Sequence, residues 1–127
     1  MKIFGIGTDI VKTIRIQKLL RKKNILEKLF NEEEIIKCKR IKKNANCFAK
    51  RFAAKEAFSK ALGTGISKGI YFNQIVVLNE KNGKPFIKLI ENTKKNVEKK
   101  LKKKKYKISL SLTDEDEYAV AFVTISI

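Results

Sequence analysis

The segment ANCFAKRFAAKEAFSKAL at residues 45–62, closed by GTG at 63–65, decides how the rest of the chain is read. It contains no Gly or Pro and is dense in Ala, so it reads as the strongest helix in the sequence. Phe48, Ala49, Phe52 and Ala53 lie toward one side, and Ala54, Phe58 and Ala61 toward the other. A helix that is apolar nearly all round is buried. Gly63 stands where a left-handed cap would end it. Glu56 falls four residues after Phe52 and three after Ala53, and Lys60 follows by four on the same face. A carboxylate in such a place needs a partner.

N-terminal to this helix, Ile3–Val11 mixes β-branched and aromatic residues with Gly5 and Gly7, predicting a kinked strand that ends near Asp9. A short basic amphipathic helix is predicted over Thr13–Lys23, and a second helix over Ile25–Phe30. Asn31 with Glu34 three residues on resembles a capping box, opening a helix toward Arg40. Lys39–Asn46 then reads as a basic loop. Beyond residue 65, the runs Phe72–Asn79 and Phe86–Ile90 flank Asn82-Gly83 and predict a hairpin. A lysine-studded helix is expected over Asn92–Lys105, with Val97 and Leu101 as its inward contacts. Two strands, Tyr106–Thr113 and Tyr118–Ile127, meet across the acidic turn Asp114–Glu117. Neither a repeat nor a linker interrupts this order. The expectation is one α/β (α+β) domain over residues 1–127, a small sheet packed against a long central helix.

Composition narrows the chemistry. The 127 residues suffice for one hydrophobic core, and an apolar fraction of 43% in periodic blocks argues against intrinsic disorder. There are 30 Lys and Arg against 13 Asp and Glu, a formal net charge of +17, which favours an anionic partner without choosing its kind. A coding bias toward Lys, Ile and Asn competes with that explanation. No stretch resembles a signal peptide or approaches the roughly 20 apolar residues of a membrane span, so a cytoplasmic location is expected. Cys38 and Cys47 match no zinc spacing and are read as reduced thiols. The chain has no histidine, which removes the usual general base and the Ser-His and Cys-His nucleophile pairs. Catalysis must then fall to carboxylates, lysines or a metal.

Spacing alone makes Glu56 and Lys60 an ordinary solvated i,i+4 pair, worth a few tenths of a kcal/mol. The alternative is a metal ligand beside a phosphate-binding lysine. Asp9, at the end of a glycine-containing strand, supplies a second carboxylate, and two carboxylates with waters and substrate phosphates are a usual way to hold Mg²⁺. Gly63-Thr64-Gly65 is either a plain C-cap or a turn whose N–H groups approach a phosphate. It is no Walker motif, since the GxxxxGK[ST] spacing is absent.

Taken together, GIGTDIV at 5–11, FAKRFAAKEAFSKALGTGI at 48–66, NGKP at 82–85 and SLSLTDEDEYAVAF at 109–122 resemble the small-subunit family of 4'-phosphopantetheinyl transferases, the holo-acyl-carrier-protein synthases. The second segment is the most specific of the four. The resemblance implies transfer of the phosphopantetheine arm of coenzyme A to a serine of an acidic acyl carrier protein, with 3',5'-adenosine bisphosphate leaving, in support of fatty acid biosynthesis. It assigns Mg²⁺ to Asp9 and Glu56, and the coenzyme A diphosphate to Lys60, with Ser59, Gly63, Thr64 and Gly65 close by. Arg51, Lys42 and Lys43 look like the residues that meet the ribose phosphate. Asn82, Gly83, Lys84 and Pro85 are similar to the turn bordering the adenine. Asp9, Glu56 and Lys60 would be catalytic, and the base stays open between Glu56 and a metal-bound water. Homotrimers with sites at subunit boundaries are implied, with Arg15, Lys18, Arg21 and Lys22 receiving the carrier protein. Many relatives carry a histidine where this chain has Asp114; the acidic turn there also reads as a solvated hairpin, the favoured view.

Two other classes compete. A small basic RNA-binding protein suits the charge and the lysine-rich helix, but no RNP-like or GXXG motif is present, so nucleic acid is not expected as a partner, nor is a membrane. A non-catalytic carrier-protein binder would have no use for Asp9, Glu56 and Lys60 together.

Overall fold

The inner face of the first strand is bare of side chains at two successive inward positions, and the long helix lies down on it there. In a computed structural model, which describes residues 1–127, β1 (Ile3–Lys12) presents Gly5, Gly7, Asp9 and Val11 to the helix Ala45–Leu62. A Cβ at Gly5 would overlap the carbonyl oxygen of Ala61, and one at Gly7 that of Ala57. The glycines therefore set how closely helix and strand approach. The strand also runs on past Asp9, further than its sequence suggests.

The remaining elements follow in chain order. They are α1 (Thr13–Leu19), α2 (Ile25–Leu29), α3 (Glu32–Lys39), α4 (Ala45–Leu62), a 3-10 turn over Phe72–Gln74, β2 (Ile75–Asn79), β3 (Pro85–Leu89), α5 (Glu91–Leu101), β4 (Lys107–Glu115) and β5 (Tyr118–Ser126). The expected mixed α/β class holds. One antiparallel sheet has the order β1-β5-β4, and β2-β3 is a separate hairpin. The inner face of β5 carries Ala119, Ala121, Val123 and Ile125, all buried against α4. Small residues on both surfaces make this a tight seam, with Asp9 opposite Ala121 in register.

Local chemistry explains most boundaries. At the start of α3, Asn31 Oδ1 accepts from the Glu33 N–H (3.1 Å) and Glu34 Oε1 accepts from the Asn31 N–H (2.9 Å), completing the expected capping box. Gly63 ends α4 at φ +89°, a left-handed cap. α1 and α5 are shorter than expected, and Thr93 joins Val97 and Leu101 as a buried residue of α5. Asp114 and Glu115 belong to β4, so the turn is confined to Asp116 and Glu117.

Opposite β1, α4 is pinned by an ion pair hidden from water. Lys55 Nζ donates to Glu34 Oε1 (2.7 Å) and to the Phe72 carbonyl (2.7 Å), while Glu34 Oε2 accepts from the Val77 N–H (3.1 Å). Both side chains are fully buried. Burial pushes the Lys55 ammonium down to about 8 although Glu34 opposes it.

One expectation fails. Cys38 and Cys47 are not free thiols but a disulfide, with Cα atoms 5.6 Å apart. The reversal between α3 and α4 lays the last turn of one beside the first turn of the other, a proximity that a separation of 9 in sequence does not reveal.

The outer face of the three-stranded sheet carries Phe4, Ile6, Ile10 and Phe122, all exposed, and no element of the chain covers it. No helix is long and apolar enough to cross a membrane.

Gly7→Ala is expected to destabilise the protein by at least about 2 kcal/mol, because the clash is with helix backbone and no side chain can yield. The urea midpoint of the variant checks this; an unchanged midpoint would show that α4 does not sit on β1 as described.

Candidate active site

Two groups of polar residues lie along α4, one near each end. At the C-terminal half, Asp9 of β1, Glu56 and Lys60 come together. Lys60 Nζ donates to Asp9 Oδ1 (3.1 Å) and to the Thr8 carbonyl (3.0 Å). Lys60 thus pairs with Asp9 and forms no ion pair with Glu56, the partner that helical spacing suggests. Its side chain is 53% exposed, against 16% for Asp9, so the ammonium stands at the solvent edge of a recessed carboxylate.

Glu56 faces the same place. Its carboxyl is held above the usual range by burial and then by the negative charge of Asp9, while Lys60 and Arg15 counteract. Arg15, on α1, lies over the Phe52 ring with Cζ 5.8 Å from the centroid. This arginine, which the resemblance assigns to carrier docking, is exposed and close enough to Glu56 for its charge to be felt there.

The donor set suits a hard divalent cation. Two carboxylates from different elements offer only oxygen ligands, and their mutual repulsion, visible in Glu56, is what such a cation relieves. No third acidic residue joins them, so waters and substrate oxygens would complete the shell.

The second group is cationic and lines a cavity of ≈ 510 Å³ at the N-terminal half of α4. Arg51, buried, anchors it: Nη2 donates to Asn79 Oδ1 (3.0 Å), and Nη1 to the carbonyl (3.3 Å) and Sγ (3.2 Å) of Cys47. Its Nε has no partner. Lys37 Nζ donates to the same Asn79 Oδ1 (2.6 Å), and its ammonium is pushed down by burial and then by the charges of Arg51 and Lys50. Positive charge crowded in this way favours an anion. Lys43, Gly83 and Pro85 line the same cavity, whereas Lys42 and Lys43 with Arg21 line a neighbouring one of ≈ 660 Å³.

Asp114 points into the first cavity's rim. Its carboxylate accepts from Asn46 Nδ2 (3.1 Å) and pairs with Lys50 (3.5 Å), so it ties β4 to α4 and is not a merely solvated turn residue.

The turn at Gly63–Gly65 behaves as a C-cap. The N–H groups of Gly63, Thr64 and Gly65 all point to the Ser59 carbonyl, at 3.0, 3.3 and 3.2 Å. Ser59 is buried, its Oγ donating to the Glu56 carbonyl (2.7 Å). Asn82 Oδ1 caps its own hairpin by accepting from the Lys84 N–H (3.0 Å), and both side chains are exposed. Thus the chain unites Asp9, Glu56 and Lys60 in one place and Lys43, Arg51, Gly83 and Pro85 in another. Asp9, Glu56 and Lys60 line neither cavity. Lys37, Asn46, Lys50 and Asn79 were not singled out from the sequence. Nothing local marks them, because Asn46 and Lys50 meet Asp114, and Lys37 and Arg51 meet Asn79, only through the tertiary fold.

With this geometry in place, comparison with known proteins is informative. A family model described as the 4'-phosphopantetheinyl transferase superfamily matches residues 5–123. The holo-[acyl-carrier-protein] synthase of Pelagibacter ubique is 45% identical over 125 residues, covering 98% of each chain. Among solved structures, the holo-[acyl-carrier-protein] synthase of Neisseria meningitidis superposes with a TM-score of 0.88 at 37% identity, covering 98% of this chain and 99% of the other. That of Bacillus anthracis, in complex with coenzyme A (3',5'-ADP), gives 0.82 at 35% identity, covering 99% and 98%.

Replacing Asp9 by Asn removes one of the two causes that raise Glu56. The midpoint of the Glu56 carboxyl, followed by ¹³C NMR, is expected to move down in pH. A midpoint that stays put would mean that the two carboxylates do not face one another.

Proposed function

The chain belongs to the 4'-phosphopantetheinyl transferase superfamily, and from that premise we propose that it transfers the phosphopantetheine arm of coenzyme A to a serine of an acyl carrier protein. The observation that carries this reading is the meeting of Asp9 and Glu56 beside Lys60, within a chain that has no histidine. Oxygen ligands and a lysine suit phosphoryl transfer, where charge develops on phosphate oxygens and little covalent chemistry is asked of the protein.

In this reading Asp9 and Glu56 hold a magnesium ion, which when bound neutralises charge on the phosphate oxygens. Lys60, exposed and tethered only to Asp9 and the Thr8 carbonyl, is free to turn its ammonium to the diphosphate. Arg51 and Lys43 hold the ribose phosphate in the cationic cavity, with Gly83 and Pro85 forming its wall. The carrier serine attacks the phosphorus that bears pantetheine, the bond to the adenosine phosphate breaks, and 3',5'-adenosine bisphosphate departs. With no histidine in the chain, Glu56 would accept the serine proton through a carboxylate oxygen that the metal leaves free. The exposed Lys18, Arg21 and Lys22 of the first helix and its end give an acidic carrier protein an electrostatic landing place. The setting is the cytoplasm, in support of fatty acid synthesis.

The assembly is a homotrimer. Ile6 and Ile10 are 60% and 62% exposed on an uncovered sheet face, beside Phe4 and Phe122, an apolar patch of the kind that marks an interface. Association would also bring a neighbour's surface to complete a site whose carboxylates and cationic cavity are apart within one chain.

Intact-mass spectrometry of apo acyl carrier protein, incubated with the protein, coenzyme A and Mg²⁺, is expected to show the gain of one phosphopantetheine, abolished by chelator. Asp9→Ala and Glu56→Ala should each lower the rate at least about a hundredfold while the fold persists. Transfer that survives chelation and both substitutions would defeat the metal-centred mechanism. In sedimentation velocity the wild type should run as a trimer and Ile6→Lys/Ile10→Lys as a monomer; a monomeric wild type would remove the assembly from the reading.

A further inference from the structure

We propose that Cys38 and Cys47 form a reversible thiol–disulfide site that sets how firmly the cationic cavity holds its anion. The inference rests on the reading of that cavity as the cofactor's phosphate site. Three observations carry it. The disulfide joins the last turn of α3 to the foot of α4, closing a loop with Lys42 and Lys43 on it. Cys47 lines the cavity wall, and its Sγ and carbonyl are what Arg51 Nη1 bonds. Arg51 is the buried cation at the cavity's base, with its Nε still unpartnered.

Oxidised, the pair fixes the basic loop and the acceptor that orients the guanidinium. Reduced, α3 and α4 lose their covalent link, and the segment Arg40–Asn44 has only turn structure of its own. Ordering that loop and its lysines around an anion then has to accompany binding, which weakens it. A disulfide in a chain of a reducing compartment is a redox-responsive one more often than a structural one.

The chemistry balances with a low-molecular-weight thiol as reductant. Its thiolate attacks the Cys47 sulfur, the one that reaches the cavity, since Cys38 is fully buried and Cys47 is 6% exposed. The S–S bond breaks and Cys38 leaves as a thiolate that takes a proton. A second thiol molecule then attacks the mixed disulfide, releasing Cys47 as a thiol and a symmetrical small disulfide. Reoxidation by the small disulfide runs the same steps in reverse.

Coenzyme A is itself a thiol, so the probe is 3',5'-adenosine bisphosphate. Its dissociation constant is measured by calorimetry on protein oxidised with glutathione disulfide and on protein reduced with a phosphine, alkylation and mass spectrometry counting the free thiols in each. The oxidised form should have no alkylatable cysteine and bind about three- to tenfold more tightly. Cys38→Ser should bind like the reduced form under both conditions. Equal affinities of the two wild-type forms, or two alkylatable cysteines after oxidation, would overturn the proposal and leave the transferase reading intact. Redox-dependent binding without transfer to any carrier protein would instead count against the transferase reading alone. An absence of binding in both forms would remove the cavity assignment and this inference with it.

Discussion

The fold depends on how closely an 18-residue helix can approach a strand. Backbone meets backbone at Gly5 and Gly7, and the facing helix positions Ala57 and Ala61 are small enough to permit it. A side chain at Gly5 or Gly7 would lift α4 from the sheet and shift Glu56 relative to Asp9. The same inward row continues through Asp9 to Val11, so the seam that packs the helix also delivers a carboxylate to Glu56. Structure and site share one constraint here, and the strand's alternation is its source.

A helix that is apolar nearly all round has little to fix its rotation. The buried Glu34–Lys55 pair provides a directional contact, because each charge is hydrogen-bonded to backbone as well as to its partner. Pairs of this kind contribute little net stability against an apolar replacement, but removing one partner leaves an uncompensated charge in the core, at a cost of about 3–5 kcal/mol. Lys55 immediately precedes Glu56, so the contact that orients the first residue also orients the second, about 100° further round the helix axis.

Charge is distributed unevenly along α4. Its N-terminal half gathers Arg51 and Lys37 around Asn79, with Lys50 nearby on Asp114, and its C-terminal half gathers Asp9 and Glu56 with only Lys60 and Arg15 to offset them. Both halves are electrostatically incomplete, one for want of an anion and the other for want of a cation. A phosphorylated cofactor with a divalent metal would supply both. The net charge of +17 alone does not distinguish this from a general attraction to polyanions.

Local order was legible in the sequence because its causes are local. The bounds of α4, the Asn31–Glu34 capping box and the hairpin over Asn82-Gly83 follow from propensity, capping and turn chemistry within a few residues. The pairing of Asp9 and Glu56 was legible only as two carboxylates in suitable elements, and the motifs they sit in supplied the rest. Spacing paired Lys60 with Glu56, whereas the fold gave it to Asp9. Cys38 and Cys47 looked like free thiols until the reversal between two helices brought them together. Asn79 and Lys37 carried no signal at all. Residues that act through local backbone geometry are written into the chain, while those that act by meeting a distant partner are decided by packing, since a one-dimensional period fixes which face a side chain takes but not what will lie against it.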